Sequence, residues 1–279
     1  MFQSQITSLS CPPIPSLLPV LSSINRMISD FTPIVHKLDG RTIGVWAVAD
    51  VHIGARESNT REFQKFIKKV VSEDDSYIVL CGDMVNNGLK DSLTNVYEEV
   101  LPPHAQVERA VDLLAPVRDK VLGAVGGNHE ARSRKAVDLD PMYAIMLMLG
   151  IGGLYRQNFA MVRVNLERGK TKDHYGLMLV HGKTANRKRQ FAYAVEGVDA
   201  IISGHTHDGL VEKPARLVFT KSNNVVVKPL VSLTATSWLD YGGYAAAALY
   251  QPKSTSDPQC LELEFTGSND RPGSIHVRW

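Results

Sequence analysis

The sequence has little of several features that would assign a protein class at once. Its three cysteines, Cys11, Cys81 and Cys260, lie far apart and show no CxxC spacing, which argues against a disulfide framework or a structural zinc site. The formal net charge is only +2, so no strong overall field draws the chain to nucleic acid or to an anionic membrane. No apolar stretch approaches the roughly 20 residues that a membrane-spanning helix needs. We therefore expect a soluble, cytoplasmic protein without a membrane partner.

The amino-terminal region also lacks the pattern of a secretion signal. Its apolar run, residues 14–21, is interrupted by Pro15 and Pro19 and is not preceded by Lys or Arg. We predict an irregular Pro-rich arm over residues 1–40 and one domain over residues 41–279. A chain of 279 residues with 44% hydrophobic residues is long enough to bury a substantial core in that domain.

What the sequence does contain is a repeated pairing of a short apolar run with a polar residue that can bind metal. The runs are predicted to be buried strands, at residues 43–49, 77–81, 121–125, 175–180 and 200–203. The polar residues that follow them are Asp50, Asp83, Asn128, His181 and His205. Because ligands gather at the carboxyl ends of strands in layered α/β proteins, the pattern predicts one site built from all five runs.

Amphipathic helix patterns separate the early strands, as βαβ units require. We predict helices after the N-cap Asn59, around residues 93–100, from 102 to 118, and from 141 to a stop at Gly150. Beyond residue 208 the helix signals disappear and strands are favoured. These later strands are predicted at residues 216–220, 224–232, 244–250, 260–266 and 274–279.

The polar strand ends form an ordered series of motifs. In chain order they are Asp50-x-His52, Gly82-Asp83, Gly127-Asn128-His129-Glu130, His181-Gly182 and Gly204-His205-Thr206-His207. Over residues 43–208 this series resembles the calcineurin-like metallophosphoesterase superfamily, and the finer texture is similar to small phosphoesterases of bacteriophages and bacteria. The resemblance implies an α/β fold, a four-layer αββα sandwich of two mixed β-sheets flanked by helices. For a phage-encoded chain, the location would be the host cytoplasm.

The resemblance also implies a site for two divalent metal ions. Oxygen and imidazole donors without thiolate suit manganese, iron or zinc; we expect manganese first, with iron, zinc, nickel, cobalt or magnesium as alternatives. By the family pattern, one ion would be held by Asp50, His52 and His207. The other would be held by Asn128, His181 and His205, with Asp83 bridging the two.

The implied reaction is hydrolysis of a phosphate ester by a metal-activated hydroxide, with His129 as general acid. Asp83 would be catalytic as the bridging ligand, and Asn128 and Arg132 would bind the substrate. Many family members carry Asp three residues after the bridging Asp, where this sequence has Asn86. An amide accepts a hydrogen bond from imidazole but stabilises imidazolium poorly, so we expect His129 to be a weaker acid-base group, or to use Glu130 instead. Good leaving groups or phosphodiesters would then be preferred.

Several alternatives stay open at this stage. The basic clusters at residues 132–135 and 183–189 follow site motifs and would contact phosphate, a nucleotide or DNA, or would be solvated surface. A phosphodiesterase or nuclease is slightly favoured over a phosphomonoesterase. A binding or accessory subunit that keeps the fold without strong catalysis is the alternative from another class. Four further histidines are interpreted as ordinary surface or core groups: His36, His104, His174 and His276.

Overall fold

The computed structural model describes residues 30–90, 92, 96–182, 196–219, 223–247, 249, 251–253, 257–267 and 274–278. Strands in these ranges are β1 (Ile34–Asp39), β2 (Thr42–Val48), β3 (Ser76–Cys81), β4 (Val121–Val125), β5 (Tyr155–Arg156), β6 (Phe159–Arg168), β7 (Thr171–Val180), β8 (Ala200–Ser203), β9 (Val211–Glu212), β10 (Ala215–Phe219), β11 (Val225–Pro229), β12 (Val231–Thr234), β13 (Cys260–Glu264) and β14 (Ser274–Arg278). The α-helices are α1 (Thr60–Ser72), α2 (Pro103–Leu114), α3 (Glu130–Val137), α4 (Pro141–Met148) and α5 (Gly243–Ala247). Short 3₁₀ turns occupy Val96–Glu98, Ala115–Lys120 and Gly152–Leu154.

Two six-stranded sheets and one two-stranded ribbon organise these strands. Sheet I has the order β14-β13-β2-β3-β4-β5, in which β2 to β5 run parallel and β13 and β14 are antiparallel additions. Sheet II has the order β1-β6-β7-β8-β12-β9, with β7, β8 and β12 parallel. The ribbon consists of β10 and β11. The fold is therefore a mixed α/β sandwich with two large mixed sheets, as the sequence predicted.

The alternation of side chains along β2 shows how the layers are filled. Ile43, Val45 and Ala47 point into the core between the sheets, where they join Leu177 and Leu179 of β7. Residues on the opposite face of β2 pack under the helices. A strand covered on both faces needs a nearly continuous apolar sequence, and β2 has one.

Helix α1 covers the outer face of sheet I. Asn59 caps it, because its side-chain oxygen accepts the Glu62 amide at 3.1 Å. Phe63 and Phe66 are buried on its inner face, and Phe66 meets Trp46 of β2 edge to face at 5.6 Å between ring centroids. The N-cap and the apolar face are those that the sequence predicted.

Some elements differ from the sequence prediction. Ile34–Asp39 pairs with β6 as the edge strand β1, so the irregular arm does not extend to residue 40; residues 1–29 and the basic cluster at 183–189 lie outside the described residues. Gly243–Ala247 is helical where a strand was predicted, because an alanine-rich segment favours helix locally. The helix expected near residues 93–100 is, within the described part, only the 3₁₀ turn Val96–Glu98. No helix in the described ranges is long and apolar enough to cross a bilayer.

Candidate metal centre

The predicted site residues meet at one edge of the sandwich. The parallel strands β2, β3 and β4 of sheet I and β7 and β8 of sheet II all end there. The residues just beyond these ends are Asp50, His52, Asp83, Asn128, His129, His181, His205 and His207. Residues far apart in the chain therefore share a site because the strands run in register.

The backbone at this edge is unusual. Asp50, His52, Asp83, His205 and His207 all have positive φ, between 49° and 77°, a region that residues other than glycine rarely adopt. Such conformations cost free energy and persist only when the surrounding structure holds them. Here they turn short side chains back across the strand ends toward a common point.

The first group of donors comprises Asp50, His52 and His207, whose ligand atoms lie within 4.8 Å of one another. His207 Nε2 is 3.1 Å from Asp50 Oδ1, and His52 Nε2 is 3.7 Å from the same oxygen. The second Asp50 oxygen accepts the His205 amide at 2.8 Å, which fixes the carboxylate plane. This group is the set predicted for one metal ion.

A second group comprises Asp83, His181 and His205, again within 4.8 Å. His181 donates from Nδ1 to the Cys81 carbonyl at 2.7 Å, so Nε2 presents its lone pair to the site. That nitrogen lies 2.8 Å from Asn128 Oδ1 and 3.2 Å from Asp83 Oδ2. A histidine whose outer nitrogen is anchored to a carbonyl is the arrangement that metal-binding histidines use.

Asp83 stands between the two groups. Its Oδ2 atom lies 3.2 Å from His181 Nε2 and 3.8 Å from His52 Nε2. Its Oδ1 atom accepts the His129 backbone amide at 2.8 Å. The carboxylate therefore faces an imidazole from each of the two groups.

The hydrogen bonding of the donor atoms indicates that these residues suit divalent cations. Asp50 Oδ1 and both ring nitrogens of His52 are buried without a hydrogen bond of acceptable geometry among the described residues. The lone pair of His181 Nε2 also faces oxygens of Asn128 and Asp83, and either a proton or a cation at that point would satisfy all three atoms. Burial lowers the pKa of His181, but the Asp83 carboxylate outweighs it and raises the pKa to about 10. A cation would take the place of that proton.

The two carboxylates of the centre have lowered pKa values, the counterpart of the raised pKa of His181. Burial favours the neutral form of Asp50, but the facing His207 and His52 imidazoles hold its pKa well below its usual range. The pKa of Asp83 is likewise lowered, because His181 and His129 outweigh its burial. Two ionised, buried carboxylates in a cluster of imidazoles form a strong site for positive charge.

Glycines permit this convergence at two points. A Cβ on Gly127 would lie 2.1 Å from Asp83 Oδ1 and 2.4 Å from the Asp83 amide nitrogen. A Cβ on Gly204 would lie 2.7 Å from Asp50 Oδ2. Any side chain at either position would push a carboxylate out of place.

His129 is oriented differently from the sequence prediction. Its Nδ1 atom lies 2.7 Å from the backbone carbonyl of Asn86, which can only accept, so Nδ1 carries the proton. Its Nε2 atom lies 3.0 Å from Arg132 Nη2, which can only donate. Burial, followed by the neighbouring His52, lowers the pKa of His129 to about 3. The imidazole is therefore neutral, and its orientation comes from a main-chain carbonyl rather than from the Asn86 amide side chain.

Glu130 does not orient His129 either. Its fully buried carboxylate accepts backbone N–H groups from Asp83 at 3.0 Å, Met84 at 2.8 Å, Val85 at 3.2 Å and Gly127 at 2.8 Å. Burial and the Asp83 carboxylate raise its pKa to about 7, whereas four N–H donors favour the ionised form. Glu130 ties the loop after β3 to the loop after β4, so the sequence prediction that it could serve His129 is wrong.

A buried polar network that the sequence analysis missed supports Asn86. The Asn86 side chain donates to Glu99 at 2.7 Å, and Glu99 also accepts the Gly88 amide at 2.7 Å and Gln106 Nε2 at 2.8 Å. Gln106 is fully buried and its oxygen accepts the Asn87 amide at 2.8 Å. A glutamine on the buried face of the helix predicted at residues 102–118 was the available signal.

The centre opens into a cleft of about 640 Å³, a volume suited to a small ligand. Arg132 lines it, in line with its predicted position at the site. Outside the centre, the other charged residues that line the cleft are the acidic Glu57, Glu98, Glu99, Asp208 and Asp240 and the basic Arg56 and Lys253. Lys253 pairs with Asp208 at 2.6 Å, so acidic groups predominate among the described charged residues outside the centre.

The remaining histidines lie outside this centre. His36 Nε2 donates to the Leu122 carbonyl at 2.7 Å, and His174 Nδ1 donates to Asn165 at 2.6 Å. His104 and His276 are exposed. None of these four belongs to the donor groups of the described chain.

The fold and the donor set together define an α/β protein with a candidate divalent-metal centre at its strand ends. The chain belongs to the calcineurin-like phosphoesterase family, whose model matches residues 43–209, more than half of the chain. A comparison with curated protein sequences finds no match.

Three solved structures illustrate what the chain is similar to. Vps29 from Entamoeba histolytica, complexed with Zn²⁺, has 13% identity and a TM-score of 0.36, over 85% of this chain and 98% of that one. A hypothetical protein from Thermus thermophilus has 15% identity and a TM-score of 0.45, over 85% and 99%. The NAD nucleotidase NadN from Haemophilus influenzae has 9% identity and a TM-score of 0.40, over 84% of this chain and 49% of that one.

Proposed function

We propose that this protein hydrolyses phosphate esters with two divalent metal ions at the strand-end centre. Asp50, His52 and His207 would hold one ion, and Asn128, His181 and His205 the other. Asp83 would serve both. The observation that carries the proposal is the position of Asp83 between two compact donor groups. In the first group, Asp50 Oδ1 and the ring nitrogens of His52 are buried without a hydrogen bond among the described residues.

When bound, the cations would supply Lewis acidity that lowers the pKa of water and neutralises charge on the phosphoryl oxygens. The protein's own contribution is placement. Glu130 accepts the amides of both Asp83 and Gly127, and the His129 amide donates to Asp83 Oδ1, so these contacts position the carboxylate. Manganese is our first candidate for the ion, with iron, zinc, nickel, cobalt and magnesium as alternatives.

His129 and Arg132 would divide the remaining work. In the free protein, Arg132 donates to His129 Nε2, so that nitrogen has no proton to give. A phosphate oxygen is a stronger acceptor for guanidinium than a neutral imidazole. We propose that the substrate draws Arg132 onto its phosphate, which leaves the His129 Nε2 lone pair open. Nε2 would then take up a proton from solvent to form the imidazolium and transfer that proton to the leaving oxygen as general acid. Because the imidazole is a poor base here, esters with good leaving groups should react best.

The acidic cleft favours a phosphodiester over a phosphomonoester. A diester carries one negative charge near neutrality, whereas a monoester carries close to two. Glu57, Glu98 and Asp240 disfavour the additional charge. The same residues disfavour a long polyanion, so we place a small phosphodiester ahead of DNA.

The test compares bis(4-nitrophenyl) phosphate with 4-nitrophenyl phosphate on protein loaded with each candidate ion in turn. We expect kcat/KM to be higher for the diester. Asp83→Asn should lower it by at least about 100-fold, since the change keeps the shape but removes a ligand charge. Metal content by mass spectrometry gives a second readout, and Asp83→Asn should bind fewer ions per chain than the native protein.

Asp119→Asn is the matched control, because Asp119 is 87% exposed at its side chain and lies outside the centre. It should leave both activity and metal content unchanged. Failure of the loaded native protein to hydrolyse either ester while still binding a partner would favour the accessory-subunit alternative. The presence of every predicted donor at the centre speaks for the enzyme.

A further inference from the structure

The ribbon of β10 and β11 stands apart from both sheets. It leaves sheet II between β9 and β12, and its base is closed by the Leu230 amide, which donates to the Pro214 carbonyl at 2.8 Å. Val231, just after the ribbon, pairs with Ala200 at the start of β8, whereas His205 follows the end of β8. The ribbon therefore projects from the end of the sheet opposite the metal centre.

The two basic side chains of the ribbon strands lie on the face that points toward the rest of the protein. Arg216 and Lys228 are register partners, so their side chains share a face. Arg216 donates to the Val198 carbonyl, and Lys228 pairs with Asp199 at 2.7 Å. Asp199 is itself held by the Gly176 amide at 2.8 Å. These contacts fix which face of the ribbon points toward the protein.

The opposite face is apolar and points away from the protein. Leu217 pairs with Val227 and Phe219 with Val225, so all four side chains lie on that face. Their exposed fractions are 74%, 66%, 78% and 54% respectively. An antiparallel strand normally places polar residues outward, whereas this ribbon places Arg216 and Lys228 inward, beside the Val218–Val226 pair, and only apolar side chains outward. A two-stranded ribbon is also marginally stable in water unless another element covers it.

We propose that this apolar face is a dimerisation surface that packs on the same face of a second copy of the chain. Neither strand places a charged residue on it, so an identical face meets it without an unpaired charge, as a two-fold contact requires. Recognition of a charged partner would need charges on the outward face, but the ribbon's cations are engaged on the inward face.

The area of the face indicates how extensive the contact would be. With side-chain areas of roughly 100–200 Å² each, the four residues expose on the order of 400 Å² of apolar surface. A stable interface needs about 800 Å² per partner. The face therefore supplies about half of a standard interface, which corresponds to a reversible dimer rather than a permanent one.

The experiment measures mass by sedimentation equilibrium of the full chain over a range of concentrations. The native protein should approach twice the 30.8 kDa chain mass as concentration rises. Phe219→Asp and Leu217→Asp would bring like charges together across the two-fold axis, and each should raise the dissociation constant by at least about 100-fold. Circular dichroism and phosphoesterase activity should stay unchanged, because the ribbon is solvent-exposed in the monomer and remote from the centre.

Val35→Asp is the matched control, since Val35 is 56% exposed on the edge strand β1. It should dimerise as the native chain does. A native protein that stays monomeric overturns the proposal, and so does a dimer that survives both ribbon substitutions. Monomeric protein that binds phosphatidylcholine vesicles, and loses that binding in Phe219→Asp, would also overturn it and assign the face to a lipid surface.

Discussion

Gly127→Ala provides the most direct test of how the centre is built. The added Cβ would lie 2.1 Å from Asp83 Oδ1 and 2.4 Å from the Asp83 amide nitrogen. Rotation of the Asp83 side chain relieves the first contact but not the second, because the amide belongs to the main chain. Ordinary contact begins at 3.4 Å, so the loop after β3 must move by about 1 Å.

Two consequences have different magnitudes. Overpacking of a well-packed site costs about 1–3 kcal/mol of the free energy of unfolding, and displacement strains the hydrogen bond from the Gly127 amide to Glu130 as well. A shift of about 1 Å in catalytic geometry costs about 100-fold in rate. Gly127→Ala should therefore remain folded at room temperature while kcat/KM falls by about 100-fold and metal affinity weakens.

The assays are urea denaturation, metal content after dialysis and hydrolysis of bis(4-nitrophenyl) phosphate. Gly153→Ala is the matched control, because a Cβ there meets nothing within 4 Å, and it should behave as the native protein. Full metal content together with unchanged kcat/KM in Gly127→Ala would refute the inference that main-chain proximity places the Asp83 carboxylate.

Three other substitutions test neighbouring inferences. Asn86→Asp should lower the free energy of unfolding of the metal-free protein by about 1–3 kcal/mol, measured in urea, because a carboxylate would replace the amide that donates to Glu99. Glu130→Gln should cost about 2–6 kcal/mol in the same assay, since an amide has one acceptor oxygen and leaves two buried N–H groups unpaired. His36→Gln should make the protein lose less stability on acidification. Burial lowers the pKa of His36 below its ordinary 6.5, so the unfolded chain binds more protons than the folded one. The stability of the native protein therefore falls as pH drops below 6.5, and the variant lacks this contribution.

Each of these has an outcome that contradicts it. Asn86→Asp with native stability and a pH–rate profile shifted to higher pH would show that the side chain, not the carbonyl, serves His129, because a carboxylate raises the pKa of the imidazole. Glu130→Gln with native stability would mean that its four backbone contacts are replaceable. For His36→Gln, the melting temperature should equal that of the native protein at pH 7.5 and fall less than the native value as the pH is lowered to 5. If the melting temperatures of both proteins fall equally with pH, His36 makes no contribution.

Much of the fold could be predicted because several strands have a clear local sequence pattern. β2, β3, β4, β7 and β8 are short apolar runs that end in polar residues, and the α1 cap at Asn59 is a local signal. β1 and β6 were missed because neither is a continuous buried apolar run: in β6 buried residues alternate with more exposed ones, and in β1 only Ile34 is buried. The helix Gly243–Ala247 was mistaken for a strand because periodicity cannot separate short apolar helices from strands.

The sequence by itself determined which residues could form the centre. Donor type, motif order and position after apolar runs are local properties, and they selected Asp50, Asp83 and His181 without coordinates. Only the tertiary structure decided how the residues around these ligands, Asn86 and Glu130 among them, make their contacts. Asn86 acts through its carbonyl and Glu130 through main-chain amides, because hydrogen-bond partners depend on which loops meet in space. The outward apolar face of the ribbon was likewise hidden, since alternation along a strand does not say which side faces the protein.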